Sequence, residues 1–205
     1  MSYYGNEYER RTLMNIEALY FQKYFYFKHL NQSSSEHSVT YWVKLSRDIE
    51  LHRLMYALLD VVQNQPVLRT QFVTDDFNQL KINLRDFFPF IEIQEVNEMS
   101  QSIDLEAFFT RNLNSYHFNQ LPLFNFKIYQ FLDEAYLLLD FHATIFNESQ
   151  LTPFLQQLNI AYTHSLKSEY SISDFYNWIK EMNQKMDQNQ AVYPSKHFNV
   201  LSADG

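Results

Sequence analysis

Residues 135–149, AYLLLDFHATIFNES, constrain the fold more than any other stretch of the chain. From Ala135 to Phe141 the side chains are apolar except for Asp140, a pattern that suits a short strand covered on both faces. His142 is the first residue beyond that run, and Asn147-Glu148-Ser149 then makes a polar turn. From Leu151 to Tyr162 the apolar residues recur with a helical period. The segment therefore reads as strand, histidine loop and helix, and α/β folds carry their chemistry in loops at strand ends.

The rest of the chain supplies neighbours for that strand. Residues 123–131 alternate, with Phe124, Phe126 and Ile128 on one side, and the Leu132-Asp133-Glu134 turn predicts an antiparallel hairpin with the histidine strand. Residues 39–45 have the β-rich alternation of a further strand. Asp48 is read as the N-cap of a helix whose stripe runs Leu51, Leu54, Met55, Leu58, Val62, ended by Pro66. Residues 67–74 and 80–84 suggest a second hairpin, and 87–96 a short edge strand. Helices are expected over 12–30, from Asp104 to Tyr116, from the Thr152-Pro153 cap pair onward, and over 173–188. Residues 31–38 read as a polar loop and 191–205 as an aperiodic tail.

These elements predict an α/β fold of one domain over 1–205: a two-layer sandwich in which a largely antiparallel, mixed sheet is covered by helices beginning near Asp48, Asp104 and Pro153. A chain of 205 residues, 46% hydrophobic and 18% aromatic, can bury one substantial core.

Composition also removes whole classes of function. A net charge of -8, without a Lys/Arg cluster, argues against nucleic-acid binding, which needs cations on phosphates. Having no cysteine excludes disulfides, thiolate metal sites and a thiol nucleophile, and fits a reducing, cytoplasmic setting. Gly5 and Gly205 are the only glycines, too few for a phosphate-cradling loop or a dinucleotide fingerprint. No apolar run approaches the roughly 18 residues of a membrane span, so no membrane association is expected. His29, His37, His52, His117, His164 and His197 show no ligand spacing, and no metal is expected. None of the serines lies in a G-x-S-x-G turn.

Laid on known patterns, 141–147 resembles the HHxxxDG signature of nonribosomal peptide synthetase condensation domains and the wider chloramphenicol acetyltransferase-like superfamily. Phe141 takes the position of the first His, His142 the second, Phe146 the Asp and Asn147 the Gly. Residues 65–72, QPVLRTQF, are similar to the family's HPxLRTxF segment, and Phe118-Asn119 with Leu121-Pro122-Leu123-Phe124 resembles its PFDL...PLL segment. Ile16 to Phe21 is a looser echo of its opening helix. Order and spacing agree from about Leu13 to Leu166, with 167–205 as a helix and tail leading onward.

The resemblance implies the amino-terminal lobe of a two-lobe domain that joins a carrier-bound acyl or peptidyl thioester to an amine. It implies carrier protein domains and a carboxyl-terminal lobe as partners, with phosphopantetheine arriving on the carriers and no directly bound cofactor. His142 would be the catalytic residue, as general base or as the group positioning the amine. The residues by themselves, without the resemblance, favour a bland role for His142 as a polar loop side chain. In the family the motif Asp pairs with the Arg of the LRT segment; here that Arg is Arg69 and the Asp position is Phe146, so Arg69 must reach Asn147, Glu148 or Asp140, or solvent.

Such a lobe alone is expected to be inactive, and to expose apolar surface near the end of the histidine strand and the carboxyl-terminal segment, favouring self-association. Two alternatives stand beside this reading: a decayed, non-catalytic lobe that binds a carrier or partner, and a stand-alone oligomeric acyltransferase. The 63 residues that follow His142 disfavour the last, whose motif lies near the carboxyl end.

Overall fold

The computed structural model describes residues 16–31, 37–113, 115–118, 120–164 and 172–187; the expectations for residues 1–15, the loop at 32–36, Asn119 and the tail beyond 187 lie outside them. In chain order the elements are β1 (Ile16–Glu17), α1 (Tyr20–Asn31), β2 (Ser38–Lys44), α2 (Leu51–Asn64), β3 (Thr70–Thr74), β4 (Leu80–Leu84), β5 (Glu92–Glu95), α3 (Leu105–Arg111), β6 (Phe124–Gln130), β7 (Ala135–His142), α4 (Leu151–Thr163) and α5 (Ile172–Asp187).

The α/β sandwich has the helices and strands in the expected order, with the strands divided between two sheets. A four-stranded sheet runs β2-β7-β6-β5, and a three-stranded one runs β1-β4-β3. β7 is central in the larger sheet: Val39 lies opposite Phe141 on one side, and Phe124 opposite Phe141 on the other, both antiparallel. Tyr136 through His142 are all buried, so the unbroken apolar run corresponds to a strand covered on both faces. β5 is the short edge strand, paired parallel to β6.

Period-two alternation decides which face each side chain serves. Phe124, Phe126, Ile128, Leu137, Leu139 and Phe141 enter the main core with Leu54, Leu58, Val61 and Val62 of α2 and Phe154 and Leu158 of α4. Fully burying each such side chain contributes about 1.5–3 kcal/mol. The opposite face is apolar at one end, where Tyr129, Tyr136 and Leu138 meet Phe109 of α3 and Trp42 stacks on that ring at 5.4 Å. At its other end the same face is polar, carrying Thr40, Asp140 and His142.

Several boundaries differ from expectation for local reasons. The opening helix starts only at Tyr20, because Ile16–Glu17 and the Ala18 N–H, on the Leu80 carbonyl, join the edge of β4. Asp48 does not cap α2: it accepts the Ser46 hydroxyl, and Glu50 precedes the helix without a side-chain cap. Pro66–Arg69 is a 3-10 turn, as proline at its first position favours, so β3 begins at Thr70. Asp104 does cap α3, accepting from the Ala107 N–H at 3.1 Å, but α3 ends at Arg111 and leaves Tyr116 in a loop. α4 begins at Leu151 with Pro153 inside its first turn.

Tyr20, Tyr24, Phe27 and Leu30 of α1 are solvent-exposed and follow one another at helical spacing, forming an apolar stripe on the helix that reaches the histidine strand's end. No helix among the described residues is long and apolar enough to cross a membrane.

Candidate functional site

The end of β7 is fixed by backbone hydrogen bonds on both sides. His142 N–H donates to the Leu123 carbonyl at 2.9 Å, and Ala143 N–H donates to the His37 carbonyl at 2.8 Å, extending the ladder one step past the strand. Ile145 N–H then turns back to the His142 carbonyl at 3.0 Å. The imidazole is thereby held on the polar end of the sheet face, 1% exposed, with Phe118 edge-on to it at 4.9 Å.

Two histidines that spacing did not connect to the motif are at the same place. His29, near the end of α1, lies with its ring centre 4.9 Å from that of His142, and His37, just before β2, is 6.3 Å away. His29 Nδ1 is 3.2 Å from His142 Nε2, and His29 Nε2 is 3.1 Å from the Tyr116 carbonyl. On its other side, His142 Nδ1 accepts the Thr144 N–H at 3.1 Å and is 2.9 Å from the Thr144 hydroxyl.

Both ends of this chain of bonds are backbone groups of fixed polarity. A carbonyl only accepts, so neutral His29 carries its proton on Nε2 and presents a lone pair at Nδ1. His142 must then donate from Nε2, which leaves the lone pair at Nδ1, where the Thr144 N–H points. The acceptor end sets these tautomers, and the Thr144 N–H at the donor end fits them. Burial lowers the pKa of His142 to about 3, with His29 and His37 opposing a further positive charge, and burial likewise lowers that of His29.

Tyr116 links this chain to the buried carboxylate two residues before His142. Its hydroxyl donates to Asp140 Oδ2 at 2.5 Å while Thr40 donates to Oδ1 at 2.8 Å, and burial together with the Asp140 charge raises the phenol's pKa. An open cavity of about 290 Å3 flanks Tyr116, lined in part by Phe90, Glu92, His117 and Lys127. Among the described residues no three ligating side chains are arranged to hold a metal ion.

The other motif positions are structural. The Phe141 and Phe146 rings are stacked in the core, on the face opposite His142. Arg69 reaches none of Asn147, Glu148 or Asp140: its guanidinium pairs with Asp86 Oδ1 at 2.7 Å, because the 3-10 turn points it along the β3–β4 hairpin, whose Arg85 N–H bonds the Arg69 carbonyl. Asn147 starts the 3-10 turn before α4 with a capping box, accepting from the Ser149 N–H while its own N–H donates to Gln150. Its φ of -136 is ordinary extended backbone, so this position needs no glycine here. Sequence reasoning missed His29, Tyr116 and Thr144; the available signal was Asp140, a carboxylate inside an apolar run, which must find buried donors.

The chain was compared with known proteins. A search of curated sequences finds no match. Among solved structures, the starter condensation domain of the rhizomide synthetase superposes with a TM-score of 0.72 at 12% identity, over 86% of this chain and 46% of that one. The first condensation domain of the CDA synthetase superposes at 0.70 and 9% identity, over 84% of this chain and 46% of that one. The chain thus spans less than half the length of these relatives. The condensation domain family model matches residues 15–199, and the chain belongs to the condensation domain family.

Proposed function

We propose that this chain acts as the amino-terminal lobe of a condensation unit that forms an amide between a carrier-bound acyl or peptidyl thioester and an amine, in the cytoplasm and with no turnover by the lobe alone. The observation that carries this reading is the pairing of family membership with a span of under half the relatives' length, with His142 at the end of the central strand. The partners would be carrier protein domains bearing phosphopantetheine and a carboxyl-terminal lobe. The exposed stripe of α1 is apolar surface of the kind that engages another protein or a second copy of the chain.

The apolar stack at two motif positions and the neutral, fully bonded His142 favour a second reading, a non-catalytic lobe that docks a carrier or partner. Mixing acyl-loaded and aminoacyl-loaded carriers with the chain alone, and with the chain joined to a carboxyl-terminal condensation lobe, separates the two. Amide product from the joined protein alone supports catalysis; carrier binding without product from either supports docking.

A further inference from the structure

The edge of a sheet is a row of unpaired backbone groups, and folded chains shorten it, charge it or cover it. Three of the four sheet edges here follow that rule. β1 has two residues, and Asn183 of α5 covers it by donating to the Glu17 carbonyl at 2.9 Å. β5 has four residues with a glutamate at each end, and β3 has five. β2, on the outside of the larger sheet, is the exception. It is seven residues long, pairs with β7 over its whole length without a bulge, and has no proline and no charge before Lys44.

The ladder decides which groups of β2 are free. Leu45 N–H donates to the Ala135 carbonyl and Ala143 N–H to the His37 carbonyl, so the odd-numbered residues of β2 are the ones bonded to β7. Ser38, Thr40, Trp42 and Lys44 therefore point their N–H and C=O groups away from the sheet, and no described residue bonds them. The occupant that fits such a row is another extended strand, whose own donors and acceptors have the same repeat.

We propose that β2 pairs antiparallel with the β2 strand of a second copy of this chain, about a twofold axis at Tyr41, joining two four-stranded sheets into one. The proposal is independent of the condensation reading. Outward residues can bond only outward residues, and the register that uses all four sets Thr40 against the partner's Trp42 and Ser38 against the partner's Lys44. On the other face Val39 meets the partner's Val43, and the two Tyr41 rings meet at the axis. Trp42, 40% exposed, gains cover. Lys44 is already paired with Glu134 and does not face its own copy, so the contact opposes no like charges. The net charge of -8 on each chain resists association, but β2 adds no negative charge to it. Seven residues make a contact about 24 Å long, and side chains on both faces make it about 20 Å deep, so each copy covers roughly 500 Å2. Two copies then bury about 1,000 Å2, the lower bound of a specific interface, and the dimer is weak.

Sedimentation velocity of the 205-residue chain tests association, with a monomer–dimer midpoint of roughly 10–100 μM expected for so small a contact. Raising NaCl from about 50 to 300 mM should tighten the dimer severalfold, because salt screens the repulsion between the chains and breaks no ion pair across the contact. A chain that stays monomeric at millimolar concentration overturns the proposal. Amide hydrogen exchange on the same wild-type protein locates the contact. The Thr40, Trp42 and Lys44 amides should slow by roughly tenfold between dilute and concentrated samples, while those of Val39, Tyr41 and Val43, held by β7, stay as they are. The chain has no cysteine, so Tyr41→Cys places a single thiol on the axis, where Cα atoms about 4.5 Å apart permit a disulfide between copies. Mild oxidation should link Tyr41→Cys far faster than Phe77→Cys in the exposed β3–β4 turn or Tyr24→Cys on α1. A dimer whose Thr40 and Trp42 amides exchange unchanged, or in which Tyr24→Cys links and a folded Tyr41→Cys does not, forms through another surface and overturns the proposal. The exchange measurement needs no substitution and decides the case if Tyr41→Cys fails to fold.

Discussion

The rings of Phe141 and Phe146 lie face to face, their centres 3.8 Å apart and their planes within 5°, with Phe154 edge-on to both. These are the two residues that the sequence resemblance lays on the signature's first His and its Asp. The two aromatic rings pack on each other, and the histidine loop is anchored by that core packing. Arg69 is thereby left to Asp86.

Restoring the signature one residue at a time should therefore harm the protein. Phe146→Ala is expected to cost about 3–5 kcal/mol as a large-to-small core change. Phe146→Asp should cost more, because it buries a carboxylate against Phe141 and Phe154 with Arg69 already engaged elsewhere. Urea denaturation of the two variants tests the order. A Phe146→Asp protein as stable as wild type would contradict the packing role given to Phe146.

Asp140 gives a second, independent check. Tyr116→Phe removes one of the hydroxyl donors to a fully buried carboxylate and is expected to cost about 1–3 kcal/mol. The change keeps the Tyr116 carbonyl, so the His29 bond should persist. Thermal or chemical denaturation measures the cost, and the histidine resonances report whether the His29–His142 pair survives. Loss of that pair in Tyr116→Phe would show that Asp140 and His142 are more tightly coupled than their separate bonds imply.

The scaffold was legible because each part of it is periodic. Residues 135–141 read as a doubly covered strand from apolarity alone, the β6–β7 hairpin from alternation, and α2 from its stripe. The sheet partition was not legible, since β1 is only Ile16–Glu17 and its pairing with β4 depends on chain path. Of the side chains gathered at the end of β7, His142 was legible and the others were hidden. His29 is 113 residues away in sequence and Tyr116 contributes a backbone carbonyl, which no side-chain pattern announces. The early end of α3, which frees Tyr116 to turn toward Asp140, likewise has no local marker beyond a run of weak helix formers.

Acid should weaken the fold through the same histidines. His142 has its pKa lowered to about 3 in the folded chain, against an ordinary value of 6.5. Between those values the unfolded chain binds a proton that the folded chain does not. Stability is therefore full above about pH 6.5 and falls as the pH is lowered toward 3, by up to about 1.4 kcal/mol per pH unit for this group. The lowered pKa of His29 adds in the same direction. Denaturation curves from pH 7.5 to 4.5 should be less pH-dependent in His142→Gln, and an identical slope in the two proteins would contradict the neutral, buried imidazole.

The most direct test of the central claim, that His142 is a neutral member of a closed chain of hydrogen bonds, is its own titration. Following the His142 15N resonances in the folded chain from pH 8 to pH 5 should show no protonation. A His142 midpoint near 6.5, with the fold intact, would mean that the chain of bonds from Thr144 to Tyr116 does not hold this imidazole, and the account of the site would fail with it.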